Sequence, residues 1–149
     1  MKYLCLICAE TVMEHMTEEA AARHYKEYAA FTEDIKRHGH FISANRLQPV
    51  DTATTVRVRN GQVTVTDGPF AETKEQFGGY YVIEARNLNE AIQVAAKIPG
   101  ARYGCVELRP IAEQLSALLA RLDEAFDREK RFSAAASHEL RTPIAELSM

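Results

Sequence analysis

The chain has no excess of charge of one sign. Its 18 Lys and Arg against 21 Asp and Glu leave a formal −3 over 149 residues. With the two signs interspersed, no basic face marks a direct nucleic-acid partner. Long apolar runs are also missing. The longest, around Tyr3 to Ala9, falls far short of the ~20 residues that span a bilayer. No charged start followed by a small-residue cleavage site marks a signal peptide, so a cytoplasmic protein without membrane contact is expected. No Gly-rich phosphate loop occurs anywhere. Cysteine is scarce, at Cys5, Cys8 and Cys105. Cys5 and Cys8 have Cys-x-x-Cys spacing, but in a strand-like run that odd offset sends them to opposite faces. No second pair completes a tetrahedral site, so no metal is expected and the thiols are read as buried and reduced.

What is present is an ordinary globular composition, 46% hydrophobic and 26% charged. Such a chain makes one domain, or a domain with an appendage, and can bury roughly two-thirds of its unfolded surface. Lys2 to Ala9 reads as a central strand, apolar on both faces. Thr17 caps a helix with Glu18 and Glu19 in its first turn and Gly39 past its end; Ala21, Tyr25, Tyr28 and Ile35 recur at helical spacing. Phe41 to Leu47 alternates as a strand. Asn60-Gly61 then closes a hairpin that pairs Val58 with Val63 and Val56 with Val65, leaving Arg57, Arg59, Thr64 and Thr66 on the other face. Tyr80 to Ala85 is a further strand. Asn87 with Glu90 opens a helix to about Lys97, Pro99-Gly100 stops it, and Arg102 to Arg109 is the last strand. The order β-α-β, hairpin, β-α-β predicts an α+β domain with a ferredoxin-like sheet and helices on one face.

From Ile111 the turn signals cease until Pro143. Ile111, Leu115, Leu118, Leu122, Phe126, Phe132, Ala136, Leu140, Ile144 and Leu147 recur at helical spacing, with one interruption at Glu129. This predicts a long C-terminal helix with a narrow apolar face that needs a partner. Two domains are expected, 1–111 and 112–149.

The hairpin leads into Asp67-Gly68-Pro69-Phe70-Ala71-Glu72-Thr73-Lys74-Glu75-Gln76-Phe77-Gly78-Gly79-Tyr80-Tyr81. Three glycines, a proline and two glutamates suit a shaped polar loop of the kind that carries function. Asp67, Glu72 and Glu75 are candidates for a polar-ligand cleft; Asp67 equally suits an Asx turn into Gly68-Pro69, and the acids equally suit weak ion pairs with Arg57 and Arg59. Phe70, Phe77, Tyr80 and Tyr81 are expected in the core and at a dimer interface. His38 and His40 flank Gly39 and are assigned to the helix end. His24 is expected at the helix surface or a dimer interface.

Residues 1–111 resemble the YCII-related family, specifically its DGPF branch. The likeness runs through Arg46-Leu47-Gln48-Pro49, Ala53 to Arg57, Asp67-Gly68-Pro69-Phe70 to Glu75, Gly78-Gly79-Tyr80, and Val106-Glu107-Leu108-Arg109-Pro110. It implies a dimeric α/β barrel in which two ferredoxin-like sheets face one another, and a sigma factor as a partner. Some relatives have been proposed as enzymes because a His and an Asp meet in a cleft. His24 lies where that histidine belongs. The family's aspartate belongs near Ile98-Pro99-Gly100-Ala101, where this chain has no acid, so Asp67 is the residue that would stand in.

Phe132-Ser133-Ala134-Ala135-Ala136-Ser137-His138-Glu139-Leu140-Arg141-Thr142-Pro143-Ile144 is similar to the H-box of sensor histidine kinases. The resemblance implies His138 as phosphoacceptor, Glu139 as the acid that assists proton transfer, and Thr142 in dephosphorylation. It brings ATP only through a kinase domain that this chain lacks, so no cofactor is expected here. A kinase in trans and a response regulator are the implied partners, alongside a second copy of the chain. The alternative is a small-molecule enzyme using His24 and Asp67.

Overall fold

The computed structural model describes residues 1–10, 15–112 and 117–132. The chain divides into two units, Met1–Ile111 and Ala112–Met149. In the first, strands β1 (Lys2–Ala9), β2 (Phe41–Arg46), β5 (Gln76–Glu84) and β6 (Gly104–Pro110) form one sheet in the order β2-β5-β1-β6. Each neighbouring pair is antiparallel. That is the ferredoxin-like strand order, with helix α1 (Glu18–Arg37) between β1 and β2 and helix α2 (Leu88–Ala95) between β5 and β6. A separate ribbon is made of β3 (Thr54–Arg59) and β4 (Gln62–Asp67).

Local chemistry sets the helix ends. The Thr17 hydroxyl accepts from the Ala20 N–H at 3.2 Å, with Glu18 and Glu19 behind it. At the far end His38 caps α1 and Gly39 takes φ +75°, the left-handed step that ends a helix. Asn87 accepts from the Glu90 N–H at 2.9 Å, and the Glu90 carboxylate accepts from the Arg86 N–H at 2.6 Å. The second helix stops at Ala95, and a 3₁₀ turn, Pro99–Arg102, leads into β6. In the hairpin Asn60 and Gly61 take φ 52° and 74°, the type I′ geometry, and Val58 faces Val63 while Val56 faces Val65.

The core lies between the sheet and the two helices. Tyr3, Cys5, Tyr81 and Ile83 from the sheet meet Phe31 and Ile35 of α1, Ala91, Val94 and Ala95 of α2, and Ile98. Two sequence expectations are revised. Residues 76–81 belong to β5, so the polar loop is shorter than its composition suggests and ends at Glu75. The last strand begins at Gly104, two residues late, because the 3₁₀ turn uses Arg102. Of Phe70, Phe77, Tyr80 and Tyr81, Tyr81 lies in the core and Phe70 is 84% exposed. The four hairpin valines are also more than half exposed, although their register is the expected one. In the second unit residues 117–132 are helical, with Leu118, Leu122 and Phe126 in the expected register but exposed.

Ile83 is completely buried at the centre of the sheet. Truncating it to alanine removes apolar burial and leaves a cavity, a loss of about 2–5 kcal/mol. Urea unfolding of Ile83→Ala should show that loss as a lowered midpoint with an unchanged slope.

Candidate functional site

The buried stripe of α1 runs His24, Tyr28, Phe31, Ile35, spaced four, three and four residues apart. His24 is therefore not a surface or interface residue: it is 9% exposed and lies inward of Tyr25, which is 52% exposed. Beneath it the Pro99–Arg102 turn crosses α1. The Gly100 N–H donates to the Tyr28 hydroxyl at 3.0 Å, and Arg102 donates to the Glu27 carboxylate. This brings Tyr103 to the other side of the imidazole. The His24 ring is edge-on to Tyr28 at 4.9 Å and to Tyr103 at 5.5 Å between centroids.

These residues border a cavity of about 390 Å³ between α1 and the sheet. Ile7 and Ala9 of β1 line it, with Gln76–Tyr81 of β5, Ala44 to Val50 around the end of β2, and Met16, Gly100 and Tyr103. Among the described residues Glu10 is its one acid and Arg46 its one Lys or Arg. Glu10 is paired with Lys74 at 3.2 Å. Arg46 sits over the Tyr25 ring at 5.4 Å and donates to its hydroxyl.

His24 Nδ1 is buried with no hydrogen-bond partner among the described residues. An unsatisfied buried polar atom costs roughly 1–3 kcal/mol, so packing alone does not favour an imidazole there. Burial holds its pKa below the ordinary 6.5, with Arg102 and Arg46 pushing the same way and Glu27 opposing. The ring is mostly neutral at pH 7, ready to accept or share a proton.

The acidic candidates lie elsewhere. Asp67, Glu72 and Glu75 are exposed, and none lines the cavity that holds His24. The turn after Asp67 is held by Gly68, whose N–H donates to Ala53 O at 2.7 Å and whose carbonyl accepts from the Thr55 hydroxyl at 2.8 Å. Arg57 donates to the Thr66 hydroxyl and Arg59 to the Val58 carbonyl rather than to acids. Glu75 accepts from the Cys105 thiol at 3.2 Å, which pushes that thiol up to about 11. Cys105 lies opposite Cys8 in the β1–β6 ladder and is exposed, not buried; Cys5 alone is a core thiol. Among the described residues no group of three or more His, Cys, Asp or Glu is placed to hold a metal ion. No helix there is long and apolar enough to cross a membrane. His138, Glu139 and Thr142 lie outside the described residues.

Tyr28, Arg46, Gly100 and Tyr103 had no site role in the sequence. A signal was available for part of this set: Arg46 to Pro49 and Gly78-Gly79-Tyr80, two segments of the DGPF resemblance, line the cavity. The Asp67 loop, which names that branch, touches the rim only through Lys74 and Glu10.

Comparison with known proteins adds five findings. The family model of the YCII-related domain matches residues 1–114. An uncharacterised protein of Rhizobium meliloti (strain 1021) is 35% identical over 105 residues, 69% of this chain and 85% of that protein. The swarming motility regulation sensor protein RssA of Serratia marcescens is 59% identical over 39 residues, 26% of this chain and 8% of that protein. Sensor protein QseC of Salmonella typhi is 44% identical over 43 residues, 29% and 10% of the two chains. The stretch shared with these sensors is thus a tenth of their length or less. Among solved structures, the 5-chloro-2-hydroxyhydroquinone dehydrochlorinase TftG from Burkholderia phenoliruptrix AC1100, in complex with 2,5-dihydroxybenzoquinone, superposes with TM-score 0.45 at 12% identity, over 76% of this chain and 96% of that one.

Replacing His24 by phenylalanine keeps a ring between the two tyrosines and removes the orphaned nitrogen. At pH 7 the variant should be as stable as the parent or up to about 3 kcal/mol more so. The pH dependence follows from the depressed folded-state pKa. Below 6.5 the unfolded chain takes up a proton that the folded one resists, so His24 makes stability fall as pH drops through that value. His24→Phe should flatten this fall, measured by denaturant titrations from pH 7.5 to 5.

Proposed function

This chain belongs to the YCII-related family, and we propose that it joins a ligand-binding domain to a sensor-kinase-like phosphoacceptor segment. The observation that carries the first half is the cavity beside α1, with an unpartnered neutral imidazole in its wall. A preformed hollow lined by aromatic and apolar groups with a few convergent polar atoms is the usual form of a small-molecule site. The short, high-identity match to sensor proteins supports the second half. On this reading His138 is the phosphoacceptor, Glu139 assists proton transfer, and Thr142 serves dephosphorylation. The kinase acts in trans, and a response regulator receives the phosphoryl group.

The working form is a pair of chains. Leu4, Leu6 and Val82 lie only half-covered on the face of the sheet away from the helices, and Ile42 beside them is 40% exposed. A second copy laid sheet to sheet would bury these side chains and bring two phosphoacceptor segments into one assembly. A sigma factor docking on that surface is the competing partner. The enzymatic alternative retains His24 as base, favoured by its free nitrogen, but loses Asp67 as orienter because Asp67 does not border the cavity.

The test is phosphoryl transfer to the purified full chain. ATP alone should give no label, and ATP with a soluble kinase core should label the chain in an acid-labile, base-stable form. His138→Gln should abolish that label. Absence of label in both incubations removes the phosphorelay role and leaves the ligand-binding half standing.

A further inference from the structure

The charges and donors around the cavity do not balance. Glu10 is answered by Lys74. Arg46 forms no ion pair among the described residues; its contacts are the ring and hydroxyl of Tyr25, both uncharged. Among the described residues the cavity mouth therefore carries one positive charge without an ion-pair partner, in a guanidinium whose fork suits a carboxylate or other oxyanion.

Inside, the hydrogen bonds can be followed proton by proton. The Thr32 hydroxyl gives its only proton to the Tyr28 carbonyl at 2.8 Å. Its 2.8 Å bond with Tyr81 must then run from the Tyr81 phenol to Thr32, which uses the Tyr81 proton. Tyr28 differs. Its oxygen accepts from Gly100, while its own hydrogen has no acceptor among the described residues. Burial raises the Tyr28 pKa, so the phenol is protonated at neutral pH. The cavity thus offers a spare phenol donor and the neutral imidazole of His24, set between ring edges. Its volume, about 390 Å³, is at the small end of ligand sites, which run from roughly 300 to 1,000 Å³.

We infer that the cavity selects a single-ring aromatic oxyanion, its charge held by Arg46 and its ring set among His24, Tyr28 and Tyr103. Arg46 is the specificity-determining residue. It steers the anion to the mouth and rejects neutral isosteres, which would leave the guanidinium without a counter-charge. The ring edges favour a flat π-face over a puckered aliphatic ring of similar size. This assignment rests on the cavity being the ligand site proposed above.

Three probes separate the contributions: benzoate, its neutral isostere benzamide, and the non-aromatic anion cyclohexanecarboxylate. Each is titrated against the full chain by calorimetry, with the His24 ring resonance followed by NMR. Benzoate should bind at least tenfold more tightly than either of the others. Arg46→Gln should erase the preference over benzamide. Tyr25→Phe, which keeps the ring under Arg46, should retain the preference. Arg46 is exposed, and thermal melts of both variants check that the fold is intact. Equal binding of benzamide or cyclohexanecarboxylate to the parent, or a preference that survives Arg46→Gln, overturns the assignment while the cavity remains a ligand site. If none of the three probes moves the His24 resonance, the ligand-binding reading falls with it.

Discussion

The candidate site depends on how closely the Pro99–Arg102 turn approaches α1. A side chain at Gly100 would begin 2.6 Å from the Tyr28 hydroxyl and 2.7 Å from Ile7 Cγ2, so the contact requires glycine. Because the backbone comes that close, its N–H reaches the Tyr28 oxygen, Arg102 reaches Glu27, and Tyr103 closes on His24. Tyr28, Gly100, Tyr103 and His24 all line the cavity. The same approach removes water from His24 and so keeps the imidazole neutral. One tight crossing of turn over helix thus sets shape, hydrogen bonding and charge state together.

That crossing joins residues 72 positions apart, which explains what the sequence revealed and what it hid. Local chemistry was legible. Thr17, Asn87 and Asn60-Gly61 each act within a few residues, and each does what its type predicts. Strand order followed from the alternation of elements. The burial of His24 was not legible, because a histidine within a charged helix reads as polar surface until Tyr28, Phe31 and Ile35 are seen to share its stripe. The glycines before Tyr80 misled in the opposite sense. Gly78-Gly79 looks like a loop, yet it lies within β5, where an added Cβ at Gly79 would sit 3.0 Å from the Asn45 carbonyl. Glycine there permits close strand pairing rather than a turn.

The acidic loop shows how chemical promise and position separate. Asp67, Glu72 and Glu75 carry the more reactive side chains, but the structure uses that stretch for the Gly68 turn, a thiol contact and a rim ion pair. The cavity is built instead from Tyr28, Arg46, Gly100 and Tyr103, which look unremarkable singly. Among the described residues the buried His24 Nδ1 has no hydrogen-bond partner, and such an atom costs more to bury than a hydrocarbon ring would.

Apolar pattern and buried surface also part company in a consistent way. The valines of β3 and β4 alternate as an inward face does, yet stay 56–65% exposed, and a two-stranded ribbon is at best marginally stable alone. The outer sheet face keeps Leu4, Leu6 and Val82 half-covered. In the other unit, Leu118, Leu122 and Phe126 form a stripe along one helix, 45–65% exposed. Fully burying such a side chain is worth roughly 1.5–3 kcal/mol, so these surfaces hold a driving force that one chain leaves unused. Contiguous apolar patches left open invite indiscriminate association, which makes a specific partner the economical solution.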